Sequence, residues 1–252
     1  MLQKSLMTDK FLEKLLTKLR YEILFTLVDS NQNILNGYFD FIVSLAEQCL
    51  LNEYVYVQSK KEIDHVNQLK NKIMNNKEIN ELEMAILGCY IPLYTSKNIT
   101  NKLLDYKSKN ILFNDLITMQ IKEPLKEIKL VNSIKSFDKI IDPVSKKVRE
   151  QYEKYPYPRW RYTYKYLPSN LLLQLNGEIK PNRIENNNKF VNPNVLIAGC
   201  GTGTHIALAT RYLNANILGV DLSLTSLAYA NRKTEELGFK NIEFLHADIL
   251  QL

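Results

Sequence analysis

Long apolar runs, paired cysteines and one-sided charge are all missing from this sequence. No uncharged apolar stretch reaches bilayer length, and Lys4, Asp9, Lys10 and Glu13 interrupt the N-terminal segment where a secretory signal would need an apolar core. A soluble, cytoplasmic protein with no membrane partner is expected. The three cysteines, Cys49, Cys89 and Cys200, are odd in number and spaced like neither a disulfide framework nor a zinc site. That fits a reducing compartment and no metal, with Cys49 and Cys89 as small core hydrophobes. The 33 basic and 27 acidic residues are mixed along the chain, so the net charge of +6 reads as a solvated surface. No fixed-period repeat occurs, which excludes a solenoid array. Glycine is scarce as well: of eight, only Gly37 and Gly88 precede residue 150.

What those first 150 residues do contain is helical periodicity. Phe11, Leu12, Leu15, Leu16, Leu19, Ile23, Leu24 and Leu27 recur at steps of three and four, which gathers them on one helix face. Further helices are expected around FDFIVSLAEQCLLNEYVYV, INELEMAILGCY and FNDLITMQI, with Pro92, Pro124 and Pro143 as punctuation. Residues 1–147 are therefore read as a helical domain.

Residues 148–170 read as an aromatic lid or connector. Pro156 and Pro158 forbid regular helix and make Tyr155 to Trp160 a semi-rigid extended strip. Three readings stay open for it. It is a buried strap, or a wall over a ligand in which Tyr157 and Arg159 supply polar contacts, or a stacking platform in which Arg159, Arg161 and Lys165 alternate with rings. Residues 171–193 follow as an asparagine-rich linker between Pro181 and Pro193.

Residues 194–252 carry the strongest pattern. A short apolar run, Asn194 to Ala198, reads as a strand buried on both faces of a parallel sheet. It leads into Gly199, Gly201 and Gly203. A helix, a second strand ending at Asp221, a second helix and a third strand ending at Asp248 follow. Ser223 stands at the N-cap of that second helix and Gly238 just beyond its C-terminus. This is the doubly wound α/β pattern. A nucleoside triphosphate loop would need lysine and Ser or Thr after the last glycine, but Thr204 and His205 follow Gly203. A dinucleotide loop would need glycine at position 204. Alternating glycines with an acid at each of two strand tips describe instead a nucleoside held without phosphate: one acid for ribose hydroxyls, the other for an adenine amino group. His205 and His246 read as helix-start and strand-packing residues.

At these residues the chain resembles the class I S-adenosylmethionine-dependent methyltransferases. AEQCLLNEYVY, KEPLKE, DPVSKKVREQYEKYPYPRW and DLSLTSLAYANRKTEELG resemble a bacterial family with a QYExxPYPRW motif that is often linked to tetratricopeptide arrays. The likeness to bacterial protein-lysine methyltransferases is looser. Tyr155 stands where that family usually has asparagine. The resemblance implies an α/β fold in which a helical region precedes the first half, three strands, of a Rossmann-like methyltransferase sheet. It implies S-adenosylmethionine as cofactor, held by Gly199, Cys200, Gly201, Thr202, Gly203, Asp221, Leu222, Asp248 and Ile249, with Tyr157 and Arg159 nearby. It implies a protein acceptor, lysine first, rather than nucleic acid. No catalytic base is identified, and Tyr152, Tyr155 and Tyr157 are candidates for orienting the acceptor. Because the family's sheet has seven strands, the chain is also expected to be C-terminally truncated, with its first strand's edge covered by the helical part or a second chain. An RNA methyltransferase and a non-catalytic remnant are the alternatives.

Overall fold

The computed structural model describes residues 2–29, 31–164, 166–185 and 191–252. The chain forms two compact units: Met1–Lys126 with Pro158–Arg161, and Glu127–Tyr157 with Tyr162–Leu252.

The first unit is helical. It holds α1 (Lys10–Val28), α2 (Gln32–Asn36), α3 (Phe39–Leu51), α4 (Lys60–Asn75), α5 (Glu81–Gly88), α6 (Lys97–Leu103) and α7 (Ile111–Ile117), the last continuing into a π turn, Thr118–Lys122. Its core is mostly aliphatic, built on Leu24, Ile42, Leu45, Ile86, Leu87 and Ile99, with Phe113, Tyr90, Cys49 and Cys89 among them. The face of α1 runs through Leu16, Arg20, Ile23, Leu24 and Leu27, whereas Phe11 is 89% and Leu15 52% exposed. The periodicity therefore placed the helix but not its first turns.

Arg20 is the unexpected core residue, and aromatic rings explain how it is tolerated. Its guanidinium lies 4.4 Å from the Tyr90 ring centroid and donates to the Val57 carbonyl at 2.8 Å. Glu62, 3.7 Å away, accepts from the Tyr90 hydroxyl at 3.1 Å and closes a capping box with Ser59 at the start of α4.

Two arginines of the proline-rich strip belong to this unit. Arg159 pairs with Glu53. Arg161 donates to both Asp115 oxygens, at 2.8 and 2.9 Å, and lies 3.4 Å from Glu47.

After α8 (Glu123–Val131), the second unit holds β1 (Lys135–Ser136), α9 (Pro143–Lys154), α10 (Leu171–Glu178), β2 (Asn194–Ala198), α11 (Thr204–Ala209), β3 (Asn216–Asp221), α12 (Leu224–Glu236) and β4 (Ile242–His246). The strands form a parallel sheet in the order β1-β4-β3-β2. This is an α/β fold in which helices precede a parallel sheet.

Three expectations need correction. The sheet has a fourth strand among the described residues, β1, where only three were read; two residues carry no periodicity to detect. The stretch 127–147 goes with the sheet rather than with the helices, because Ser136 pairs with His246 across the ladder and Glu127 meets Arg232 of α12 at 2.7 Å. And β2 is not buried on both faces. Val195 and Ile197 pack on the core with Ile206, Ile217 and Leu227, but Leu196 on the other face is 54% exposed. Among the described strands β2 pairs with β3 alone, so it is an edge. The expected caps of α12 are present: the Ser223 side chain accepts from the Ser226 N–H, and Gly238 has φ +69°.

Candidate donor-binding site

The site is built at the carboxyl ends of β2, β3 and β4, where a parallel sheet opens a crevice beside its loops. The chain leaves β2 through Gly199, Gly201 and Gly203, with φ of +67°, +51° and +90°. Each is in the left-handed region, so the alternation of glycine is a backbone requirement. The loop is pinned at three points. The Cys200 N–H donates to the Val220 carbonyl at 2.9 Å, the Gly203 N–H to the Cys200 carbonyl at 2.9 Å, and the Gly201 N–H to Asp221 Oδ2 at 2.8 Å. A Cβ on Gly203 would stand 2.8 Å from Ala230 Cβ, so glycine also lets this turn pack on α12.

Asp221 closes the second side. Its Oδ1 accepts from the Ser223 N–H at 2.9 Å, so one carboxylate ties the glycine loop to the cap of α12. Each oxygen keeps a further lone pair for a ligand hydroxyl. Asp248 forms the third side, two residues past the end of β4. It is 1% exposed; its Oδ1 accepts from the Leu250 N–H at 3.0 Å, and its Oδ2 has no hydrogen-bond partner. A buried carboxylate oxygen left unpaired is costly, on the order of 1–3 kcal/mol or more for a charged group.

Other expected residues are placed less directly. Cys200 is buried against the sheet, with its Sγ 3.1 Å from where a Gly219 Cβ would be, so its side chain packs and only its backbone lines the loop. Burial, and then the Asp221 carboxylate, push its thiol far above the ordinary range, which removes it as a nucleophile. Thr202 is buried; Leu222 follows Asp221, and Ile249 is 47% exposed in the turn after Asp248. Tyr157 belongs to the sheet unit and is half exposed, whereas Arg159 belongs to the helical unit with Glu53. The structure thus groups the loop, Asp221, Leu222, Asp248 and Ile249. Lys165 lies outside the described residues. Among the described residues no set of three His, Cys, Asp or Glu side chains is disposed to hold a metal ion.

One support is not legible in the sequence. Glu153 of α9 accepts from the Leu224 and Thr225 N–H groups, at 2.8 and 3.2 Å, covering the start of α12 with its carboxylate. The signal was present in the QYEKYPYP motif, but nothing in that motif says which backbone its glutamate meets. His246, as expected, packs at the strand end; it does so between Leu222 and Ser136. Glu153 and His246 also border a cavity of about 540 Å³ with Arg149, Glu150, Lys154 and Leu224.

Residues 195–252 match the family described as a methyltransferase domain. The match takes in the glycine loop, Asp221 and Asp248. A tRNA (guanine-N(7)-)-methyltransferase of Rubrobacter xylanophilus is 48% identical over 61 residues, 24% of this chain and 27% of that protein. An uncharacterized protein of Rickettsia prowazekii (strain Madrid E) is 42% identical over 62 residues, 24% of this chain and 11% of that protein. The chain thus aligns with about a quarter of one relative and about a tenth of the other. No solved structure matches it significantly. No described helix is long and apolar enough to cross a membrane.

Proposed function

We propose that the sheet unit binds S-adenosylmethionine and that the protein is a methyltransferase whose acceptor is a protein lysine. The observation that carries the donor reading is Asp248 Oδ2, a buried carboxylate oxygen without a partner at the tip of β4, in the segment that matches a methyltransferase domain. A donor amino group is the natural complement to it. Gly199 to Gly203 allow close approach of a ligand to the backbone, and Asp221 has lone pairs left for ribose hydroxyls. Leu222 and Ile249 supply apolar surface for a base.

The bound donor supplies an electrophilic methyl group on a sulfonium. The protein's part is binding and orientation, which can provide most of the acceleration of a methyl transfer between two held partners. Tyr152, Tyr155 and Tyr157, all part-exposed on the sheet unit, are the hydroxyls we assign to orienting a neutral acceptor amine. The protein acceptor rests on the resemblance and on one structural point. Arg159 and Arg161, the cations that a stacking platform for RNA would use, are engaged with Glu53, Asp115 and Glu47.

Titration calorimetry with S-adenosylmethionine tests the donor reading. The wild type is expected to bind, and Asp248→Asn to bind about tenfold more weakly, as loss of one charge-assisted hydrogen bond implies. The same substitution removes an unpaired buried charge, so its melting temperature is expected to stay level or rise. No binding heat from the wild type overturns the donor reading. Tritium from labelled donor appearing in tRNA rather than in protein lysine overturns the acceptor assignment.

A further inference from the structure

Resting on that donor reading, we infer that His246 and Ser136 are positioning residues for the donor site, holding the Asp221–Leu222 segment from beneath. His246 is buried at the end of β4 and is bonded through both ring nitrogens. Its Nε2 lies 3.0 Å from the Leu222 carbonyl, and its Nδ1 lies 3.0 Å from Ser136 Oγ. A carbonyl only accepts, so Nε2 carries the proton; in the neutral ring Nδ1 must then accept from the serine hydroxyl. The Leu222 carbonyl therefore sets the tautomer, and the Ser136 hydroxyl, donating to Nδ1, holds the ring in the orientation that reaches the Leu222 peptide. The Phe137 N–H donates to the His246 carbonyl at 3.0 Å, which keeps β1 in register beneath the ring.

The Leu222 peptide sits where placement matters most. The preceding residue, Asp221, holds Gly201 through Oδ2 and Ser223 through Oδ1, and the Ala247 N–H donates to the Asp221 carbonyl at 3.1 Å. A shift of the Leu222 carbonyl moves the Asp221 carboxylate, and with it the glycine loop. From the other flank Glu153 holds the next two amides, those of Leu224 and Thr225. Asp221, Leu222, Leu224 and Thr225 are thus bonded through backbone or side chain to the glycine loop, β4 with its following residue, and α9, and His246 is the side chain bonded to the Leu222 carbonyl. Its reach depends on β1, a strand drawn from the stretch before α9.

The test uses His246→Leu, His246→Gln and Ser136→Ala in the full chain. Glutamine keeps an N–H donor for the Leu222 carbonyl; leucine fills the space and offers none. Two quantities are read: S-adenosylmethionine affinity by calorimetry, and exchange of the Gly201 and Ser223 amides by NMR, each relative to the Leu218 and Val220 amides of the sheet interior. We expect His246→Leu to weaken binding about tenfold and to speed exchange at both amides at least tenfold over the reference amides. His246→Gln is expected within threefold of wild type in both, and Ser136→Ala in between. Unchanged relative exchange in His246→Leu overturns the proposal, as does faster exchange with unchanged affinity, or a glutamine variant no better than leucine. Should His246→Leu not fold, Ser136→Ala decides by the same two measures. If the wild type binds no donor, the donor reading fails, while the exchange data still decide whether His246 holds Asp221 in place.

Discussion

At the scale of single residues, the site is legible where chemistry and backbone agree. Alternating glycines before a helix and acids at two strand tips could be read from the sequence, and the structure brings Gly199, Gly201, Gly203, Asp221 and Asp248 together at one end of the sheet. The direction of each side chain could not be read, because it follows from neighbours distant in sequence. Cys200 lies inside the loop yet faces the sheet, and one oxygen of Asp248 is left without a partner. Gly219 makes the same point. It looks like an ordinary residue of an apolar strand, but a Cβ there would come within 2.5 Å of Ile206 Cδ1 and 3.1 Å of Cys200 Sγ. Gly219→Ala is therefore expected to cost about 1–3 kcal/mol by overpacking beneath the loop, read from urea denaturation followed by circular dichroism.

At the scale of elements, long amphipathic helices and the strand-helix alternation after residue 194 were open to sequence reading, and short or flanking elements were not. α4 is instructive because its start signal is in plain view: Ser59 followed three residues later by Glu62. No strongly apolar stretch lies behind it, so hydrophobic periodicity alone does not mark the helix, although Val66, Leu69 and Ile73 bury one face. Ser59→Ala is expected to lower stability by about 1 kcal/mol in urea denaturation, and Glu62→Gln to lower it further, because it also removes the carboxylate charge 3.7 Å from the buried Arg20 guanidinium. β2 reads like an interior strand because a run of Val, Leu and Ile looks the same whether one face is covered or two. Only its partners tell the difference, and at the edge Leu196 is left facing outward.

At the scale of the whole molecule, a buried carboxyl sets a pH dependence. Glu47 is fully buried in the helical unit, and its pKa is raised to about 8 by that burial and by the Asp115 carboxylate, against the lowering pull of Arg161, with Glu123 adding a smaller upward push. The folded unit thus holds a proton that the unfolded chain has released above about pH 4.5. Stability then falls as pH rises from about 4.5 to about 8 and levels off beyond, because the folded state binds more protons across that window. Glu47→Gln is expected to flatten this slope and to give the more stable protein at pH 8, measured by thermal melts from pH 5 to 9. The arginine beside it belongs to a stretch that joins the helices from much later in the sequence. Pro158–Arg161 completes a unit whose other residues all precede position 127. On the ribosome, Glu53 and Asp115 emerge long before Arg159 and Arg161, the guanidiniums that pair with them. The helical unit cannot reach its final form as soon as its own helices are made, and a peptide released before Pro158 would leave Glu53 and Asp115 without the guanidiniums they pair with in the finished fold.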